Sequence, residues 1–573
     1  MLSFSDLKKN LKKDTAGFQP VRVALLADHA SQFLHTAIKG YGVTLRLNLE
    51  LFEADYNQIE QLVYDPGSAL YAFEPAYVII IRSTEHLLHT FYRHDKRDDF
   101  SDLVLRGTAD LYQYLSGKLN TRVIINTYVE INDFVFGNYA AKTAGSFLYQ
   151  LRKLNLGLMD LARGNKDLHI SDFASLSALK GYEHSFDPKM YISADMVFSI
   201  DFLPFIAQSI VQLISATLGH AKKCLILDLD NTLWGGIIGD DGPENIQIGS
   251  LGIGKAFTEL QLWCRELKNR GVILAVCSKN TAHIARQPFD EHPDMVLKTA
   301  DITVFVANWN NKVDNIHSIQ QTLNIGTDTM VFLDDNPFER EMTRTAIPGL
   351  TVPELPPDPV DYLSFLRSLN LFETASFTAE DTNRTMLYQQ EAKRNVASGS
   401  YANENDYLKS LDMVAGTGGF DKFTIPRVAQ LALRSNQFNL RTIRYSEMEI
   451  ARIAADDNYH TIYFTLADRF GDHGLIAAVI LHQTDPATLF IDTWIMSCRV
   501  LKRGMEDFTL DAIVEKAIAG GFKTIAGEYV PTAKNGLVKN HYADLGFVQK
   551  GNLWILGVAG HTGKEYFIKK HHE

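Results

Sequence analysis

Two carboxylates two positions apart, Asp228 and Asp230, close the apolar run in LILDLDNTLWGG. Side chains alternate along an extended chain, so both acids point the same way from the end of a buried strand. Acids this close repel unless a proton or a cation sits with them, which makes the pair a candidate for proton transfer or metal binding. One Asp after a strand reads as a solvated turn; an Asp-x-Asp-x-Thr pattern ending at Thr232 after an apolar run reads as chemistry.

Four short apolar runs could bring partners to that pair: KKCLILDLD, VILAVCS, ITVFVAN and TMVFLDD, each ending in polar residues. Open parallel sheets collect their ligands just beyond the carboxyl ends of the strands. The polar residues that end these runs are therefore candidates to gather at one end of such a sheet.

The elements that carry these residues belong to a large chain. It has 573 residues, 56 basic and 68 acidic, a net charge of −12, and 46% hydrophobic residues. At roughly 100–200 residues per domain this length predicts about three or four domains. The acidic balance argues against a general nucleic-acid binder, which needs clustered cations, and leaves room for a local basic pocket. Four scattered cysteines (Cys224, Cys264, Cys277, Cys498) give neither a disulfide framework nor a zinc spacing and predict a cytoplasmic chain. No secretory signal follows the basic amino terminus, and the most apolar window, 202–218, is interrupted by polar residues, so a packing helix rather than a membrane span is expected there.

Residues 20–198 alternate β-rich runs (VRVALLA, AYVIIIR, TRVIINTYV) with helical stretches, a doubly wound α/β pattern, and a second such rhythm starts near His220. The proline-dense stretch 348–359 predicts a linker, and a polar helical region at 378–404 leads into a third unit. That unit has strands in TIYFTLAD, LIAAVIL, LFIDTWIMS and KTIAGEYV, a helix over 505–519 and a last helix ending in HYADLGF.

With its motifs in this order the sequence resembles the haloacid dehalogenase superfamily of phosphohydrolases, and within it the capless FkbH-like subfamily, subclass IIIC. The resemblance rests on LDLDNTLWGGIIGDDG, CSKN, NWNNKVDNI, FLDDNPFERE and NQFNLRTIRY and covers nearly the whole chain. It implies that Asp228 is the nucleophile, Asp230 the general acid/base, Ser278 and Lys312 the phosphoryl-binding hydroxyl and ammonium, and Thr232 and Asn280 substrate-binding residues. Magnesium would lie at Asp228, the Asp230 carbonyl and Asp334, with Asp335 nearby, a set of oxygen ligands that suits it. The gaps between motifs are too short for a cap domain, which implies an open cleft. Characterised relatives dephosphorylate 1,3-bisphosphoglycerate and leave a glyceryl thioester on an acyl carrier protein. The implied partners are thus a small phosphorylated substrate and a carrier protein. The same motifs equally serve a phosphatase of a sugar phosphate or other monoester in polysaccharide, polyketide or other secondary-metabolite biosynthesis.

The flanking parts carry further resemblances. CRVLKRG, from Arg499 to Gly504, is similar to the acyl-CoA loop of GNAT acetyltransferases, with Lys502 in place of the first glycine. The loop would bind CoA, or the fold would grip a phosphopantetheine arm or only the partner domain. The amino-terminal part resembles an SGNH-hydrolase-like domain, but in ALLADHAS the serine's place is taken by His29 beside Asp28, Ser31 has no evident base, and an inactive scaffold is implied. The expectation is a three-domain α/β protein: an SGNH-like domain over 1–200, a haloacid-dehalogenase core over 220–360 and a GNAT-like α+β domain over 378–573. Cys277 is expected to point away from Ser278 as a small core residue, and Trp234 to cover the cleft or simply pack.

Overall fold

Short β-rich runs separated by amphipathic helices pair in parallel, because each helix returns the chain before the next strand begins. In the computed structural model, which describes residues 2–571 apart from 56, 379, 380, 382, 399, 400, 402 and 533, the chain divides into two units, Met1–Ser215 and Ala216–Glu573. The first is built on β1 (Gln19–Ala27), β2 (Leu47–Glu53), β3 (Tyr77–Ile81), β4 (Arg122–Asn126) and β5 (Leu168–Ser171). Their order is β2-β1-β3-β4-β5 and every pair is parallel. The whole of β3 is buried, as helices on both faces require. The three runs read from sequence are β1, β3 and β4. The two that the reading passes over, β2 and β5, are the outermost strands, where a full apolar run is not needed. The window at 202–218 is the helix Leu203–Thr217, which buries Ile206, Ile210 and Ile214.

The second unit contains two sheets. One is four parallel strands, β6 (Cys224–Leu227), β7 (Ile273–Ser278), β8 (Val304–Ala307) and β9 (Met330–Leu333), in the order β8-β7-β6-β9. Strand alternation divides β6 between two cores: Leu225 and Leu227 pack with Phe257 and Leu260 on one face, and Cys224 and Ile226 pack with Cys277 and Ile316 on the other. The central position of β6 puts its last residue beside the ends of both neighbours.

The proline-dense stretch after β9 is extended, as proline's fixed φ demands, but it is a packed strap rather than a free linker. Thr351 accepts a backbone hydrogen bond from Phe332 and donates one to Met330, and Leu350, Val352 and Leu355 are buried. Enough apolar residues stand between the prolines to hold the strap against the sheet.

The other sheet has eight strands: β10 (Met413–Gly418), β11 (Tyr459–Asp468), β12 (Gly471–Asp485), β13 (Thr488–Met496), β14 (Thr524–Glu528), β15 (Val548–Lys550), β16 (Leu553–Gly557) and β17 (Ile568–Lys570). β10 to β13 are antiparallel neighbours, whereas β13 and β14 are parallel, joined by the helix Met505–Ala519 that parallel pairing needs. This mixed sheet with its helices is an α+β arrangement, and the chain as a whole is a multi-domain α/β protein. The expected last helix is a single turn, His541–Asp544, stopped by Gly546 at φ +87°, and β15, β16 and β17 follow it. The polar stretch 378–404 contains the helix Arg384–Ser398; six of its residues, 379, 380, 382, 399, 400 and 402, lie outside the described ones. Among the described residues no helix is long and apolar enough to cross a membrane.

Candidate active site

Asp228 is the first residue beyond β6, and its amide donates to the Leu333 carbonyl at 3.0 Å, so the ladder with β9 runs one step further and fixes where the carboxylate starts. Asp334 follows β9 directly and is fully buried. Between them stands Lys312, the first residue of the helix Lys312–Leu323, which is capped by the Asn311 side chain accepting from the Val313 amide. Its Nζ is 2.9 Å from Asp228 Oδ2 and 2.6 Å from Asp334 Oδ2. The lysine thus bridges two acids from neighbouring strands, 106 positions apart.

Asp230 sits in the turn beyond. Its Oδ1 accepts from Trp234 Nε1 at 2.9 Å and from the Ile238 amide at 3.1 Å, and its Oδ2 accepts from Asn280 Nδ2 at 3.1 Å. Three donors fix this carboxylate in one orientation. Trp234 is therefore buried packing and an anchor for Asp230 at once. Thr232 is fully buried, accepting from the Asp335 amide at 3.1 Å and donating to Asp335 Oδ1 at 3.4 Å, which latches the first strand-end turn to the fourth. Ser278, the last residue of β7, is buried, and its hydroxyl favours the ionised form of Asp228.

One carboxylate oxygen from each of Asp228, Asp334 and Asp335 lies within 4.8 Å of the others. Burial pushes the Asp228 carboxyl above the usual range, with Lys312 pulling it back. Asp334 is pushed up to about 6, by burial first and then by the charge of Asp228, and Asp335 moves upward through burial and Asp334. Asp230 is also raised by burial, against its hydrogen-bond donors. Burial works against the charge of Lys312, yet Asp228 and Asp334 together hold it above its ordinary range. A single lysine does not balance these acids. The surplus negative charge and the all-oxygen donor set fit a hard divalent cation such as magnesium.

The structure thus brings together Asp228, Asp230, Thr232, Ser278, Asn280, Lys312, Asp334 and Asp335. Sequence reasoning missed Arg340, a buried guanidinium on the helix Pro337–Ala346 whose Nη1 donates to the carbonyls of Asp334 at 2.9 Å and Asp335 at 2.6 Å. It clamps the loop that carries both acids. Its signal was a cation inside the otherwise ordinary amphipathic string NPFERE, which spacing alone does not distinguish from a solvated face.

Arg499 and Gly504 lie elsewhere, in the turn between β13 and the helix Met505–Ala519. There the backbone amide of Lys502 (φ +61°) donates to Glu506 Oε1 at 3.0 Å, Arg503 pairs with Glu391 at 2.5 Å, and a Cβ on Gly504 would meet Tyr566 Cβ at 2.9 Å. The amide that such a loop would offer to a diphosphate is already taken by the protein's own carboxylate. Arg499 points instead into a cavity.

In the first unit, Asp28 follows β1 and accepts from the Ser83 amide at 3.0 Å, and His29 Nδ1 lies 2.8 Å from Asp28 Oδ1. His86 Nε2 is 3.0 Å from Asp195 Oδ1. Ser31 Oγ reaches Glu53 at 3.4 Å and neither histidine is its hydrogen-bond partner.

A family model for the FkbH N-terminal domain matches residues 22–215. Among solved structures, the N-terminal part of the protein BF1531 from Bacteroides fragilis, described as containing a phosphatase domain complexed with Mg, is 52% identical; the match covers 66% of this chain and all of that one, with a TM-score of 0.64. The ribosomal-protein-S18-alanine N-acetyltransferase of Escherichia coli is 14% identical over 27% of this chain and all of its own (TM-score 0.21). The spermidine N-acetyltransferase of Vibrio cholerae, solved with CoA and spermine, is 12% identical over 25% of this chain and 96% of its own (TM-score 0.21). No curated protein matches the chain in sequence.

Proposed function

The chain belongs to the FkbH-like family, and from that premise we propose that its second unit is a magnesium-dependent phosphatase of haloacid-dehalogenase type acting on a small phosphorylated substrate. The observation that carries this reading is the convergence of Asp228, Asp334 and Asp335 on one point with Lys312 between two of them. In this reading a carboxylate oxygen of Asp228 attacks phosphorus, the bond to the leaving oxygen breaks, and Asp230 delivers the proton that oxygen needs. Asp230 then takes a proton from the water that attacks the aspartyl phosphate, which releases phosphate and restores Asp228. Trp234, Ile238 and Asn280 hold the Asp230 carboxyl where both transfers occur. Lys312 and Ser278 face the charge that spreads over the phosphoryl oxygens in flight. Magnesium, held by Asp228, Asp334, Asp335 and the main-chain carbonyl of Asp230, would neutralise that charge further.

The finer reading joins this chemistry to acyl transfer onto a carrier-protein thiol. Cleaving the P–O bond of an acyl phosphate leaves a carboxylate, which does not acylate a thiol. A thioester forms only when the thiol sulfur attacks the acyl carbon and the C–O bond to phosphate breaks. A substrate such as 1,3-bisphosphoglycerate carries both an acyl phosphate and a phosphomonoester, so Asp228 would take the monoester phosphate and the thiol the acyl carbon. Residues 1–200 would then be an inactive SGNH-like scaffold, 220–360 the phosphatase core, and 378–573 the GNAT-like part that receives a phosphopantetheine arm. The carboxylate of Glu506 inside the 499–504 turn favours the second reading, a plain phosphomonoesterase, because it removes an open diphosphate cradle.

The test is magnesium-dependent phosphate release from acyl phosphates and phosphomonoesters, with and without a phosphopantetheinylated carrier whose intact mass is followed. Acyl mass on the carrier, with one phosphate released by Asp228 chemistry and one by thiolysis, supports the transferase. Monoester hydrolysis with an unchanged carrier leaves the phosphatase alone. No release from any substrate would remove both.

A further inference from the structure

The four-stranded sheet has a second concentration of charge, of the opposite sign and at the opposite end. Lys223 immediately precedes β6 and Thr329 precedes β9, whereas Asp228 and Asp334 follow those same strands. Four residues at about 3.3 Å each separate the two ends by about 13 Å. At the amino ends the second unit forms a partly open cavity of about 410 Å³, lined among others by Lys223, Arg384, Arg427, Arg434, Arg499 and Lys534. Its two acidic lining residues are already paired: Asp381 with Arg384 at 3.0 Å and with Arg434, and Asp328 with Lys534 at 2.5 Å.

Two of the cations have no acidic partner among the described residues. Lys223 Nζ donates to the Arg434 carbonyl at 2.9 Å. Arg499 is anchored by Nε to Ser497 Oγ at 3.3 Å and lies against the Tyr388 ring, while its buried Nη1 has no hydrogen-bond partner among the described residues. A buried guanidinium N–H without an acceptor is costly, so a group that supplies one is favoured there. Burial, helped by the charge of Arg384, pushes Lys223 down to about 8 and Arg499 down to about 10. An anion between them would reverse both shifts.

We infer that this cavity is a binding site for a small phosphate-bearing molecule, distinct from the Asp228 centre and from the turn filled by Glu506. Six cations against two paired acids leave an excess that suits a dianion better than a single carboxylate, and the forked Arg499 matches a phosphate edge. The cavity volume falls within the range for a small ligand, roughly 300–1,000 Å³, and exceeds what a bare phosphate needs. The phosphate has two possible sources, the inorganic ion released at the catalytic end and an organic ester, and these separate in one experiment.

The experiment is equilibrium dialysis of radiolabelled inorganic phosphate against the full chain in EDTA, which leaves the acid-rich centre without a cation to hold an anion. One equivalent binds. Arg499→Gln and Lys223→Met each weaken binding by about 10-fold or more, the loss of one charge-assisted bond, and Asp228→Asn leaves it unchanged. Glycerol 3-phosphate and pantetheine 4′-phosphate compete; displacement by either at lower concentration than unlabelled phosphate identifies an ester as the ligand, and the reverse order identifies the free ion. In the unaltered chain, phosphate protects Lys223 from acetylation, mapped by peptide mass. Absence of binding up to about 10 mM, equal binding in both cavity variants, or unprotected Lys223 would overturn the proposal.

Discussion

Two strand-end turns of the second unit meet charge in opposite ways. The turn after β6 collects Asp228 and, from the neighbouring strand, Asp334 and Asp335, with one lysine among them, and leaves a surplus. In the turn after β13 the half nearest the helix, 502–506, closes on itself: Lys502 N–H donates to Glu506, and Arg503 joins Glu391 and Asp468 in a buried ion network with Arg394 and His473, while Arg499 before it faces the cavity. Both lie between a strand and a helix, and both resemble ligand loops in sequence. The difference lies in whether the folded chain has already satisfied its own polar groups. A saturated segment such as 502–506 is architecture, and an unsaturated cluster expects something from solution.

The comparison breaks first at Asp228. Asp228→Asn keeps the size of the side chain but replaces one carboxylate oxygen with an amide nitrogen and so removes the proposed nucleophile, and phosphate release is expected to fall by about 10⁴-fold or more in a chain that still unfolds cooperatively. Activity within ten-fold of the parent would sink the assignment of this turn. Next comes the lysine that partly balances the acids. Lys312→Met leaves Asp228 and Asp334 buried against each other, an expected cost of about 3–5 kcal/mol in EDTA, and added magnesium is expected to recover part of the lost melting temperature. If EDTA and magnesium give the same melting temperature, the acids do not hold the cation.

The same surplus gives a pH signature in the parent chain. Asp334 keeps its proton up to about pH 6 in the folded, metal-free state, whereas the unfolded chain releases it near 4. The folded state binds more protons between those values, so in EDTA the contribution of Asp334 to stability declines as pH rises through that window. Magnesium is therefore expected to raise the melting temperature more at pH 7 than at pH 5, read by calorimetry at both values; a larger gain at pH 5 contradicts the charge balance. A smaller effect is expected at Trp234→Phe, which keeps the ring but removes the N–H to Asp230. About a ten-fold drop in kcat with KM little changed is expected, and a change in KM alone would mean that the indole packs without orienting Asp230.

The smallest effect lies in the saturated segment 502–506. Glu506→Gln removes a charge but keeps an acceptor for the Lys502 amide, at about 1 kcal/mol or less in urea unfolding. The parent chain is expected to show no CoA binding by calorimetry up to about 1 mM. Measurable CoA affinity in the parent would erase the contrast between the two turns.

Most of the acid-rich end was legible because its residues sit at fixed offsets from apolar strands. Once LILDLD, VILAVCS and TMVFLDD are parallel neighbours, Asp228, Ser278 and Asp334 have nowhere else to go. Arg340 was not legible, because it acts on main-chain carbonyls that any buried loop possesses. β15, β16 and β17 escaped reading because they are three to five residues long and largely exposed or half-exposed, without an alternation to detect. The cationic cavity was least legible of all. Lys223, Arg384, Arg427, Arg499 and Lys534 come from five separate segments, and only the folded second unit assembles them. Arg499 attracted notice in sequence for its place in a loop pattern, while its side chain serves a different space.

The strap at 348–359 has a bearing on how the molecule keeps to itself. β9 is the last strand on its side of the four-stranded sheet, and its outward peptide groups would otherwise be a template for any extended segment, including one from another copy. Thr351 occupies those groups at Met330 and Phe332. Pro353, Pro356 and Pro357, which have no amide hydrogen to offer, ensure that the covering layer cannot itself propagate pairing along its length. The sheet that positions the carboxylates is thereby capped against edge-to-edge aggregation on the flank nearest Asp334.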